Sequence, residues 1–131
     1  MITEYAISPD VDPESAHVDP DVLLTLQDLM EDNYPELVDT FLIDSQQRLS
    51  ELRNTSQADD PDLHSISLAA HSFKGSSSNM GAVLLASLCS DLEQCAKQSA
   101  CRDIKHLVGQ IDLEFSAVRR VYERERERFS A

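Results

Sequence analysis

The sequence predicts an all-α protein: an antiparallel up-down four-helix bundle with a short N-terminal lid helix. Three observations lead there. Helix breakers are scarce, with 3 glycines and 5 prolines in 131 residues, so long stretches run uninterrupted. Leu, Ala, Glu, Gln and Arg recur while aromatics make up only 5%, a balance that favours helix over sheet. Apolar residues also return at helical spacing in five successive segments with short breaks between them. A chain of this length holds one domain with one core.

Residues 1–18 are acidic, contain Pro9 and Pro13 and keep no period. They are expected to form a flexible tail with a solvated His17, leaving residues 19–129 as the folded unit. Asp19-Pro20-Asp21 reads as a helix start: an N-cap, a proline at the first position and an acid at the positive dipole end. A short helix over about 20–31 follows, with Val22, Leu23, Leu26, Leu29 and Met30 apolar. Asn33 then caps a second helix, with Glu36 placed for a capping box. Leu37, Phe41, Leu42, Leu49 and Leu52 carry that helix to about residue 55. Asp60-Pro61-Asp62 opens a third by the logic of the first, running to Met80 with Gly81 as its stop. A fourth spans 82–99, with Leu85, Leu88, Leu92, Cys95 or Ala96, and Ser99 on one side. After a turn near 100–102 the last runs from Asp103 to about Phe129. Its closing Glu–Arg alternation carries no apolar stripe and reads as a solvated extension.

Charge and cysteine usage exclude several functions. The net charge of -13 argues against nucleic acid, whose binders need a basic face. The charge is uneven: residues 1–63 hold sixteen acids and two bases, while residues 64–97 hold only Lys74, Lys97, Asp91 and Glu93. No secretory signal is visible, and no apolar run approaches the roughly 20 residues that span a bilayer. The expected location is the cytoplasm, with no membrane association. Cys89, Cys95 and Cys101 fit neither a disulfide framework nor zinc spacing and are expected to be thiols.

The neutral segment holds the chemistry. At roughly 100° per residue, Leu63, Ile66, Ala70, Phe73, Ser77 and Met80 fall in one buried sector of the third helix. His71 points roughly 130° from its centre. Gly75 lies one turn on, nearly opposite the core, and His64 and Leu68 share that outer face. Lys74 stands three residues from His71, within reach. A mid-helix glycine costs about 1 kcal/mol relative to alanine, and facing solvent it has no packing reason in its own fold. It does let another molecule come close to the histidine, and exposed Leu68 adds an apolar contact.

An exposed imidazole is a nucleophile near neutral pH, and a nearby ammonium offsets charge on an incoming phosphoryl group. No phosphate-binding glycine loop or nucleotide motif is present. The chain is therefore expected to draw activated phosphate from a partner rather than from ATP.

The run Ala70-His71-Ser72-Phe73-Lys74-Gly75-Ser76-Ser77-Ser78-Asn79-Met80-Gly81-Ala82 resembles the signature of histidine-containing phosphotransfer (HPt) domains, of the stand-alone bacterial type. The helix order extends the likeness over residues 20–120. The resemblance implies that His71 accepts phosphoryl from an aspartyl phosphate on one receiver domain and donates it to the aspartate of another. Lys74 would steady the group. Gly75, Leu68, Ser78, His64 and Lys97 would form the docking face. The partners would be receiver domains of hybrid sensor kinases and of response regulators. The protein would be a monomeric carrier without enzymatic activity, metal or cofactor of its own, the Mg2+ sitting on the receiver. Family members often carry Gln where Glu93 stands, so no phosphate contact is expected from Glu93. The competing readings are a non-catalytic helical adaptor and a metal-binding bundle using Glu14 and His17 or Asp103 and His106.

Overall fold

The computed structural model describes residues 16–98 and 102–129. The expected tail up to residue 15, Ser99 at the predicted end of the fourth helix, Cys101 and the turn at 100–101 lie outside them. The described residues form five α-helices: α1 (Pro20–Met30), α2 (Tyr34–Ser56), α3 (Leu63–Asn79), α4 (Val83–Ala96) and α5 (Ile104–Arg128). No strand occurs among them. The four longer helices close into a bundle in which α3 packs on α4, α4 on α5, α5 on α2 and α2 on α3, as the periodicity predicts.

The core is layered along the bundle by aromatic rings meeting edge to face. Phe41 lies 6.4 Å from Phe115 and 5.5 Å from Tyr122, and Phe73 lies 6.1 Å from Phe115. Leu49, Leu52, Ile66, Leu85, Leu92 and Ile111 fill the spaces between them.

Three helix starts show how local chemistry sets boundaries. Asp19 caps α1 as expected, accepting from the Asp21 amide at 2.9 Å. At α3 the cap is Asp62, which accepts from the Ser65 amide at 3.1 Å and its hydroxyl at 2.9 Å. The helix therefore starts two residues later than the Asp60-Pro61 pattern suggested. The Asn33 capping box does not form. A 3-10 turn over Glu31–Asn33 already puts Asn33 in helical backbone geometry, and its side chain caps nothing.

Gly81 ends α3, as expected. Its φ of +72° favours glycine, and a Cβ there would lie 2.7 Å from Val22 of α1. The Asp19 amide donates to the Gly81 carbonyl at 2.9 Å. The short helix is thus seated on the α3–α4 turn. Only part of its apolar face is covered: Leu29 is 73% exposed.

Four further expectations are corrected. His17 is not solvated but bonds through Nδ1 to the buried carboxylate of Glu114 at 2.8 Å, and Val18 beside it is buried. The Glu–Arg end of α5 is not a loose extension: Val121, Tyr122 and Glu125 are buried, and Arg126 pairs with Asp39 at 2.9 Å. Helix α4 ends at Ala96 rather than residue 99. Cys95, in its last turn, is disulfide-bonded rather than a thiol. Cys89 remains a free thiol, pushed up to about 12 by burial.

Candidate functional site

The site is built on α3. Its inner stripe of Ile66, Ala70, Phe73 and Ser77 is buried, as the helical wheel predicts. The small Ala70 and Ser77 let α3 lie close against α4, its most extensive neighbour. This close packing fixes the rotation of α3, which sends His71 outward with its side chain 66% exposed. Gly75, one turn on, meets open space: a Cβ there would find no atom within 4 Å. Leu68, one turn back, is 59% exposed.

Against this outward face stands Glu93, the residue from which no phosphate contact is expected. Glu93 of α4 is buried, its side chain only 7% exposed, yet it carries three partners. Its Oε2 lies 3.1 Å from His71 Nδ1, its Oε1 accepts from Lys74 Nζ at 2.9 Å, and Lys97 Nζ lies 3.3 Å from Oε2. Lys74 therefore reaches Glu93 rather than His71. The hydrogen bond from Lys74, assisted by Lys97, pulls the carboxyl down to about 2 although burial pushes it the other way.

That ionised carboxylate fixes the state of the histidine. A carboxylate can only accept, so Nδ1 carries the proton that bonds to it. In the neutral ring the lone pair is then on Nε2, on the solvent side. The arrangement leaves one nitrogen held and the other free to attack.

His64, Leu68, His71, Glu93 and Lys97 line one cleft between α3 and α4, together with Leu63, Ser67 and Ala96. Gly75 and Ser78 continue the same exposed face toward the C-terminal end of α3, outside the cleft. Of the seven residues picked from the sequence, five thus gather on or beside the cleft: His64, Leu68, His71, Lys97 and, through Glu93, Lys74. A second groove, lined by Asp44, Arg48 and Glu51 of α2 with Leu68 and Ser72 of α3, runs alongside.

Among the described residues no group of three His, Cys, Asp or Glu side chains could hold a metal ion. No helix among them is long and apolar enough to cross a membrane.

A family model of the Hpt domain matches residues 36–121. The crystal structure of histidine-containing phosphotransfer protein B (HptB) from Pseudomonas aeruginosa PAO1 is 46% identical, with a TM-score of 0.81, over 86% of this chain and 96% of that one. The crystal structure of the histidine-containing phosphotransfer protein ZmHP2 from maize has a TM-score of 0.76 over 89% of this chain and 92% of that one. At 23% identity the maize likeness speaks for the fold alone. No curated protein matches.

Proposed function

The chain belongs to the Hpt domain family, and on that premise we propose that His71 is the residue that carries its phosphoryl group. The family role is phosphotransfer within a two-component phosphorelay, with receiver-type domains as partners. The observation that carries the assignment to His71 is its pairing with Glu93: a histidine 66% exposed whose Nδ1 is engaged at 3.1 Å, leaving Nε2 toward solvent.

In the forward step the Nε2 lone pair attacks the phosphorus of an aspartyl phosphate on a docked receiver. The P–O bond to the aspartate breaks, and the carboxylate leaves. In the onward step the aspartate of a second receiver attacks the same phosphorus, and the P–N bond breaks. Lys74 is close enough to swing from Glu93 to the phosphoryl oxygens and steady them. Bare Gly75 admits the receiver's loops, and Leu68, His64, Ser78 and Lys97 form the rest of its seat. The Mg2+ this chemistry uses belongs to the receiver, whose own acidic site supplies it.

The proposal extends to the partners and the setting. The donors are receiver domains of hybrid sensor kinases and the acceptors those of response regulators, which act in the cytoplasm. The chain acts there as a monomeric carrier without catalysis of its own, since its sequence holds no nucleotide-binding motif. The adaptor alternative has no observation in its favour.

The test is labelling by a phosphorylated receiver. His71→Gln abolishes labelling and leaves helical content intact, because an exposed side chain contributes little to stability. His64→Gln, on the same face, keeps it. Labelling of the His71→Gln protein at the wild-type rate would overturn the assignment.

A further inference from the structure

We propose that Glu93 is a positioning residue that keeps the Nδ1 proton on the His71 ring while the ring carries phosphoryl, and so keeps that group transferable to higher pH. The inference rests on the reading of His71 as the carrier.

The reason lies in the leaving group. The ring begins neutral, with its proton on Nδ1. When Nε2 bonds to phosphorus the ring becomes cationic and the Nδ1 proton becomes more acidic. If that proton stays, onward transfer breaks the P–N bond, its electron pair returns to Nε2, and neutral imidazole departs. If the proton has been lost, the departing species is imidazolate, a far stronger base and a poorer leaving group, and transfer stalls. Whatever holds the proton holds the site ready.

Glu93 is built to hold it. Its Oε2 stands 3.1 Å from Nδ1, and its other oxygen is pinned by Lys74 at 2.9 Å. With the side chain 7% exposed, water screens the charge little. The two lysines matter in a second way. An unpaired cation beside the ring would make the proton easier to lose. Both lysines pair with Glu93 in the unphosphorylated site, and when Lys74 turns to the phosphoryl oxygens its charge is offset there. The remaining titratable group in the cleft is His64 of α3. Asp44, Arg48 and Glu51 of α2 line the neighbouring groove, beyond Leu68 and Ser72. Nδ1 therefore faces one carboxylate. A glutamine in its place keeps a hydrogen-bond acceptor of the same shape but no charge.

The experiment phosphorylates wild-type and Glu93→Gln proteins with phosphoramidate and follows transfer to one receiver across pH, with 15N NMR of the phosphorylated ring in parallel. Because the receiver is common, its own pH dependence cancels. Transfer from Glu93→Gln is expected to fail at least one pH unit lower than from wild type, with low-pH rates within threefold. The Nδ1 proton signal should disappear at the same lower pH, and Glu93→Asp should recover part of the shift. Coincident profiles, or rates altered equally at all pH, would leave Glu93 a structural residue only. In wild type alone, the ring proton should persist to higher pH than in free phosphohistidine, and loss at or below that pH overturns the proposal without any variant. Failure of the carrier reading shows separately, as continued labelling of His71→Gln.

Discussion

Glu93 on α4 and Glu125 on α5 are two carboxylates of equal burial, each 7% exposed at the side chain and each holding three partners. They do opposite things. Glu125 accepts from Gln27 of α1 at 2.7 Å and from the Tyr34 hydroxyl of α2 at 3.0 Å, and pairs with Arg128 at 2.7 Å. Burial of the Tyr34 hydroxyl, and then its bond to the negative Glu125, push that hydroxyl above its ordinary range. These bonds are spent on closing the fold, tying three helices at one point. Glu93 instead holds a histidine whose second nitrogen has no part in the fold. A buried acid is therefore not in itself a site. What distinguishes the two is a nucleophilic atom left over, facing solvent, with a bare glycine beside it.

The largest effect that would test this contrast is steric. Gly75→Gln adds bulk where a Cβ now meets open space, in the path of an approaching receiver. Transfer from receivers should slow by about 100-fold or more, equivalent to about 2.7 kcal/mol of barrier. Thermal stability should equal or exceed wild type, by up to about 1 kcal/mol, since glycine is a poor helix former. Phosphoramidate, which needs far less room, should still label His71. Exchange at the wild-type rate would move the docking face away from Leu68, His71 and Gly75.

The second effect belongs to the closed acid. Glu125→Ala strands the buried Tyr34 hydroxyl and the Gln27 amide, at a cost of about 2–4 kcal/mol. For a domain of this size that lowers the melting temperature by roughly 4 °C per kcal/mol. Transfer per folded molecule should not change. Tyr34→Phe should act in the same direction by about 1 kcal/mol. A transfer defect in either variant, measured below its melting transition, would join the two acids into one network and dissolve the comparison.

The sequence made one of these regions far more legible than the other. His71, Lys74 and Gly75 stand on a single helix, so one period of 3.6 fixes their faces, and Ile66, Ala70 and Phe73 lie buried as that period demands. The burial of Glu93 is hard to read from the sequence for a geometric reason. The stripe of α4 was centred on Leu85, Leu88 and Leu92, whereas the buried set runs through Leu85, Ala86, Cys89, Leu92, Glu93 and Ala96. Ala86, Cys89, Glu93 and Ala96 keep helical spacing, so the signal was present. It was outweighed by the expectation that acids lie outside, and which partner made burial tolerable depends on the contact of α4 with α3. Glu125 was hidden by the same expectation, inside a run whose strict charge alternation gives no apolar cue. His17 was unreadable from pattern, because its partner Glu114 is 97 residues away.

The smallest effect separates the two lysines that share Glu93. Lys74 is one-third exposed and donates to Oε1 at 2.9 Å, while Lys97 is 57% exposed and 3.3 Å from Oε2. Both could lend charge to a phosphoryl group, but only Lys74 stands on the same helix as His71, three residues on. Removing a charge-assisted contact costs about 1.5 kcal/mol at the lower end, roughly tenfold in rate. Lys74→Ala should thus slow transfer about tenfold or shorten phosphohistidine lifetime to match, with labelling still detectable. Lys97→Ala should change either quantity by about twofold at most, since an exposed ion pair contributes about 0–1 kcal/mol. Raised salt should shrink the Lys97 effect and leave most of the Lys74 effect, because exposed charges are screened more strongly than half-buried ones. Equal effects for the two variants would mean that Glu93 serves them alike as a surface charge, and that the polarity of the site toward His71 comes from elsewhere.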